Sequence, residues 1–246
     1  MAQDIKLEDG EKIHLERPII GPTIICGFQG FGMVGALVVN HLIDEMDFKE
    51  IGSSQLREVP PLIVFKGKRI LKPVSIFFNS INNIVLISIL APTVGIEWNI
   101  ADMIETIAKS MKAKEIIIPD GIIAEDHQSI FYISNFGKDL QSIAKPVENS
   151  VVAGVTSALL MKRNLPVICL LGNMKSDKFG AMAAAAPVLT SGITATNLVK
   201  VINRYLNLDV STERLEQASK DMEKELGSFI DQLSRAKSDR EQRYIG

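Results

Sequence analysis

The chain has 246 residues, of which 46% are hydrophobic and 23% charged, and its formal net charge is −2. That length holds one sizeable core or at most two small ones, and the composition is that of a globular domain, not a disordered chain. With no basic excess there is no electrostatic footprint for nucleic acid, and no uninterrupted apolar stretch reaches the ~18–20 residues of a membrane span.

Cys26 and Cys169 lie far apart inside apolar runs, which reads as two small buried hydrophobes in a reducing compartment. The N-terminus is charged and lacks the apolar segment of a signal peptide. The expectation is a soluble cytoplasmic protein with no nucleic-acid and no membrane partner.

In chain order, Pro22–Cys26 reads as a buried strand, Gly27–Gly35 as a loop and Ala36–Asp44 as a helix. Leu62–Phe65 and Ser75–Phe78 read as strands of a hairpin, with Lys66–Arg69 between them. Asn83–Leu90 is a second buried strand, and Asn99–Met111 carries helical spacing. Glu115–Ile118 is a third strand, Phe131–Ser134 a short edge strand and Ser150–Lys162 a helix. Pro166–Leu171 is a fourth central strand, followed by helices at Ala181–Ala186 and Gly192–Leu206 separated by Pro187. Short strands apolar on both faces, alternating with helices, predict α/β architecture: a Rossmann-like or phosphorylase-like three-layer sandwich with a mostly parallel sheet.

The composition changes after Leu208. From Thr212 to Arg240 the chain is strongly charged, and Leu215, Met222, Phe229 and Ala236 recur every seven residues. Ser219, Leu226 and Leu233 fall four positions after the first three. With Thr212 as N-cap and Glu213 in the first turn, this predicts a C-terminal amphipathic helix. Its narrow stripe fits a two-helix seam, with another chain or with a second copy, or a helix laid back along its own domain. The predicted organisation is a core domain at 1–210 and a helical tail with a flexible end at 211–246.

Few motifs point to chemistry. Gly30, Gly32 and Gly35 match G-x-G-x-x-G between a strand and a helix, where a phosphate-cradling loop would sit. Gly27, Gly30, Gly32 and Gly35 are therefore a possible ligand loop. Against a dinucleotide site, no acidic residue ends a second strand near 51–56, and no Lys-Ser/Thr pair makes a P-loop. The other reading is that these glycines allow positive φ and close helix–sheet packing. Strand-exit loops bring Thr93, Gly95, Glu97 and Trp98, then Asp120, Glu125 and Asp126, then Asn173, Lys175 and Asp177 to one rim, where an open α/β sheet binds ligands. His14, His41 and His127 form no metal-ligand spacing with each other or with the cysteines, and no nucleophile elbow is present. The reading has no catalytic residue, no metal and no cofactor.

On these segments the chain resembles the archaeal branch of the proteasome assembly chaperone family, of the assembly chaperone 2 type. The matching residues are GFQGFGMVGALVVNHLI at Gly27–Ile43, the Pro60–Pro61 pair, NIVLISILAP, the Ile118–Gly121 turn and PVICLLGNM. The likeness runs over roughly 18–235, and Gly27–Ile43 is its specific part.

The resemblance implies a non-enzymatic protein-binding scaffold, homo-oligomeric, that assembles or activates the archaeal 20S proteasome by engaging its end ring. In such relatives the contact is a C-terminal hydrophobic-tyrosine-any tripeptide, with the tyrosine next to last. Here the sequence ends Arg243-Tyr244-Ile245-Gly246, with the tyrosine third from the end and Arg243 in the hydrophobic place. The expected protein-binding residues are Tyr244, Ile245 and Gly246 together with Leu215, Met222, Leu226, Phe229 and Leu233. The competing function is a small-molecule enzyme, an ATP-grasp-like ligase or a nucleoside-phosphorylase-like protein, working through the strand-exit loops.

Overall fold

In a computed structural model of the chain, the described residues are 3–7, 12–15, 18–54, 58, 62–66, 69–124, 129–174 and 186–221. The four apolar runs expected to be central strands are the four parallel strands at the middle of the main sheet: β3 (Thr23–Gly27), β8 (Ile84–Ile89), β9 (Glu115–Ile122) and β12 (Val167–Asn173). Nearly every residue in them is buried, as a strand covered on both faces requires.

The full order is β11-β10-β12-β9-β3-β8-β7-β4, with β4 at Lys49–Ser54, β7 at Val74–Asn79, β10 at Ile130–Ser134 and β11 at Lys145–Pro146. Strands β7 and β4 extend one side antiparallel, and β10 pairs antiparallel with β12 on the other. One face carries α2 (Glu97–Ser110) and α3 (Gly154–Leu160); the other carries α1 (Val34–Glu45) and α4 (Ala186–Leu206). This is the three-layer α/β sandwich with a mostly parallel sheet that the strand pattern predicts.

Several expectations need correction. The segment at Leu62–Phe65 does not pair with Ser75–Phe78. It forms β5 (Val64–Lys66), which pairs with β6 (Arg69–Leu71) as a separate two-stranded sheet, while Ser75–Phe78 joins the main sheet as part of β7. The strand expected at Glu115–Ile118 runs on to Ile122, so Asp120 sits in a strand and not in a loop. Pro119 is tolerated there because the ladder to β3 stops at Ile117, beyond which no N–H is needed on that side. The helix expected over Ser150–Lys162 shrinks to Gly154–Leu160, with 150–153 extended. Pro187 does not separate two helices; it lies in the first turn of α4, where its missing N–H costs nothing. Residues 181–185 fall outside the described residues.

Two strands escape the apolar-run reading altogether. β1 (Gln3–Lys6) and β2 (Lys12–Leu15) form a hairpin that buries Ile5, Leu7 and Ile13 against the α2 side of the sheet. A lone hairpin is marginal in water, and burial at roughly 1.5–3 kcal/mol per large aliphatic side chain holds this one down. Gly52 in β4 makes room for it, since a Cβ there would stand 2.4 Å from Ile13 Cγ2. Likewise β4, at the position where no strand was expected, is an antiparallel edge strand, so β3-α1-β4 is not a dinucleotide-binding βαβ unit.

Helix α1 approaches the sheet at glycines. A Cβ on Gly27 would lie 2.4 Å from the Gly35 carbonyl oxygen and 2.6 Å from Val39 Cγ2. One on Gly35 would lie 2.4 Å from the Pro119 carbonyl oxygen. Backbone cannot yield as a side chain can, so Gly35→Ala should destabilise the protein by about 2 kcal/mol or more, at the upper part of overpacking costs, in urea unfolding.

On the opposite face Lys162 joins α3 to α2 through Asp102 and Glu105, the latter at 2.8 Å. Hydrogen bonds from Lys109 first and Lys162 second hold Glu105 below its ordinary value, while Asp102 and then Glu105 raise Lys162. A depressed carboxylate stabilises the fold above its ordinary value of 4.5 and loses that contribution as pH falls through the lowered one. The raised amine contributes fully below 10.5 and loses it as pH climbs through the raised value. Lys162→Met should therefore lower stability at neutral pH and flatten both limbs of the stability–pH curve, with a residual acid limb from Lys109.

Candidate functional site at the carboxyl edge of the sheet

Strand β3 leaves the sheet toward α1 on one face, and its neighbour β8 leaves toward α2 on the other. Adjacent strands whose connections part in this way open a crevice at their carboxyl ends. A cavity of about 620 Å³ lies there, bounded by Phe28–Gly30, by Thr93, Val94 and Glu97, by the end of β9, by the extended residues 150–153 and by the start of α3 at Gly154 and Val155. A second hollow of about 700 Å³ adjoins it across Ile122, Ile123 and Ser150, and carries Lys145 and Glu148.

Asp120 is the buried charge of this cleft. Its Oδ1 accepts the Gly121 N–H at 2.8 Å, and its Oδ2 accepts the Thr156 hydroxyl at 2.7 Å from α3. Gly30 leaves the space the carboxylate occupies, because a Cβ there would stand 2.4 Å from Asp120 Oδ1. The Gln29 amide donates to the Leu90 carbonyl at 2.7 Å and braces the loop against the exit of β8. Below, the Cys169 thiol is pushed well up, chiefly by burial and then by the Asp120 charge. Burial alone pushes Cys26 up. Both cysteines are thus inert buried hydrophobes, as read from the sequence.

The other expected rim residues divide. Glu97 and Thr93 reach the cleft, with Glu97 Oε2 accepting the Gly95 N–H at 3.0 Å. Trp98 is on α2, half exposed, with Lys162 Nζ 6.0 Å from its ring centroid. Asn173 is used for architecture: its side chain exchanges hydrogen bonds with the Ala124 backbone at 3.1 and 3.0 Å. Glu125, Asp126, His127, Lys175 and Asp177 lie outside the described residues. Thr156, the partner that fixes Asp120, was missed; nothing in its local sequence separates it from other helical threonines.

The four glycines of the possible ligand loop each meet structure. Gly27 and Gly35 admit α1, Gly30 admits Asp120, and Gly32 takes φ 68° with its carbonyl accepting the Ser191 hydroxyl at 2.5 Å. His41 is a satisfied helical histidine, its Nε2 2.7 Å from the Ser211 carbonyl oxygen. No group of histidine, cysteine and carboxylate that could hold a metal ion occurs among the described residues. No helix among them is long and apolar enough to cross a membrane.

At the chain's far end, residues 213–221 form a helix, α5. Leu215 packs on the α1/α4 cluster, Arg214 pairs with Glu45 at 3.0 Å, and Lys200 with Glu216 at 2.8 Å. Ser219 lies against Gly192, where a Cβ would be 2.1 Å from its Oγ. Because α4 runs away from the carboxyl edge and 216 and 219 meet 200 and 192 in turn, α5 runs back toward that edge. Met222, Leu226, Phe229, Leu233, Tyr244, Ile245 and Gly246 lie outside the described residues.

The model of the family described as the PAC2 family matches residues 24–230. The chain belongs to the PAC2 family. That is the proteasome assembly chaperone type read from Gly27–Ile43. An uncharacterized protein of Methanocaldococcus jannaschii is 25% identical over 240 residues, covering 94% of this chain and 93% of its own. Among solved structures, Pyrococcus furiosus PbaA, described as an archaeal homolog of proteasome-assembly chaperone, superposes with a TM-score of 0.74 at 24% identity, over 99% of this chain and 97% of that one. PbaB of the same organism, described as an archaeal proteasome activator, gives 0.66 at 18%, over 87% and 96%. The PAC2 fold therefore extends over the whole described core.

Thr156→Val leaves the buried Asp120 carboxylate one donor short and should cost about 1–3 kcal/mol, the penalty for an unsatisfied buried group. Thr156→Ser keeps the hydroxyl and should recover most of that loss in the same denaturation experiment.

Proposed function

We propose that this chain is a non-enzymatic scaffold that docks on the end ring of the 20S proteasome as a homo-oligomer, in assembly or in activation. The observation that carries this reading is the PAC2 family match across 24–230, which spans the eight-stranded sheet almost entirely and runs into the 211–246 segment. The likeness to PbaA and PbaB supports it, as do the descriptions those two proteins bear. The core, 1–210, is the platform, and 211–246 is the docking unit.

The start of α5 is seated on α4 and aims at the carboxyl edge, so the rest of the apolar row (Met222, Leu226, Phe229 and Leu233) and the terminal Tyr244, Ile245 and Gly246 are assigned to the partner contact. A second apolar surface suits a protein-binding role. On the β5–β6 hairpin, Val64 and Leu71 turn inward, while the facing pair Phe65 and Ile70 are 74% and 55% exposed, beside Ile63 at 58%. Grouped exposed apolar side chains of this size mark interaction surfaces.

A chain ending at residue 221 keeps Leu215 and Ser219 in place and should unfold at the same temperature as the full chain. It should lose binding to purified 20S particles and any effect on their peptide hydrolysis. Tyr244→Ala should weaken the same binding while leaving light-scattering mass unchanged. Equal binding by the full chain and the chain ending at 221 would place the contact on the core and overturn the role given to the tail.

A further inference from the structure

The hairpin of β5 and β6 stands apart from the main sheet as a two-stranded ribbon. Side chains alternate across a strand. Val64 and Leu71 pack into the α1-side core, so Ile63, Phe65 and Ile70 share the outer face, where each is more than half exposed. Charge is as unevenly placed as apolar surface. From Val59 to Ile96 the sequence has four cations, Lys66, Lys68, Arg69 and Lys72, and no aspartate or glutamate, in a chain that carries 29 acids against 27 bases overall. Lys72, just past β6, donates to the Ser53 hydroxyl at 2.7 Å, a neutral acceptor that leaves its charge in place. Lys66 and Arg69 are register partners, and like charges at opposed positions weaken a ribbon that is already marginal on two strands. Neither the exposed apolar face nor the local positive charge helps the hairpin to fold. Both suit a partner that brings apolar side chains and carboxylates together.

We propose that the outer face of this hairpin docks an acidic amphipathic protein segment, whose apolar side chains lie on Ile63, Phe65 and Ile70 and whose carboxylates face Lys72 and the basic turn. The inference rests on the protein-binding role given above, and it names the chemistry of a second contact, separate from 211–246. Two other classes of partner fit less well. A single aromatic ring offers nucleic-acid bases no run of stacking platforms. Three apolar side chains bury little area in a bilayer, where binding scales with that area.

The test is fluorescence anisotropy of a labelled peptide alternating glutamate with leucine, titrated with the full chain. The comparisons are the same peptide with lysine for glutamate, the same with serine for leucine, a thymidine oligonucleotide and phosphatidylglycerol vesicles. The glutamate–leucine peptide should bind about tenfold or more tighter than every comparison, and more tightly at low salt than at high. Phe65→Ser, at a side chain 74% exposed where folding is not at stake, should weaken it about tenfold. Lys72→Glu should weaken the acidic peptide and strengthen the lysine one. The chain ending at residue 221 should bind the acidic peptide as the full chain does. Tighter binding of the oligonucleotide or the vesicles, equal binding of acidic and basic peptides, or no response to Phe65→Ser and Lys72→Glu would overturn the proposal. A full chain that binds the acidic peptide but no 20S particle supports the hairpin site and removes the docking role. One that binds 20S particles yet does not discriminate among the peptides removes the hairpin site alone.

Discussion

Where α1 crosses the sheet, a side chain on Gly35 would collide with the Pro119 carbonyl, and one on Gly27 with the Gly35 carbonyl. Two backbones therefore touch with nothing between them, and the rest of the carboxyl edge takes its position from that contact. It fixes the loop from Phe28 to Met33 over the end of β9, which lays Gly30 against Asp120. Asp120 in turn holds Thr156 and so the start of α3. On the other side, the Gly32 carbonyl takes the Ser191 hydroxyl, and Thr194 reaches the Asn173 carbonyl at 3.0 Å, so α4 is tied both to the turn before α1 and to β12. Helix α5 is then laid along α4. One glycine-to-proline contact thus sets the floor of the cleft and the heading of the tail together.

How much of this is legible beforehand follows from the range of each interaction. The four central strands are, because burial on both faces writes an unbroken apolar run into each. Cys26, Cys169 and His41 are also read correctly, since their neighbours already form apolar strands or a helix. The β1–β2 hairpin is not, because Ile5, Leu7 and Ile13 are spaced among charged residues and find their core only through β4 and α2. The partner of β5 is misread for a related reason. A two-residue connection within Lys66–Arg69 and a longer one to Ser75 look alike until the main sheet claims β7. Pro119 and Pro187 mislead in opposite senses: one signals a strand end before it comes, the other a helix break where a helix begins.

The candidate site divides along the same line. Its location at the carboxyl edge follows from the strand–helix alternation alone, and Asp120, Glu97 and Thr93 are all named by it. What selects Asp120 from the other acidic residues is the hydroxyl of Thr156, thirty-six positions away in sequence. Such a contact has no local signature, and neither does the gap that Gly30 leaves for the carboxylate. The G-x-G-x-x-G match is real as a string. Its glycines answer to helix packing, to a carboxylate and to a left-handed turn.

The cleft and the described part of α5 approach the same edge of the sheet from opposite faces. Among the described residues the edge gathers the buried Asp120 carboxylate, the Glu97 carboxylate and apolar side chains. Recognition needs only complementary surface and charge. The cleft with its buried Asp120 and the described part of α5, seated on α4, lie on the two faces of that edge. Because different helices carry them, α3 for one and α4 for the other, changes at Thr156 or Val94 and changes beyond Asp221 act on separate supports. Both supports meet at the α1–β9 contact, to which α4 is tied through Ser191 and Thr194.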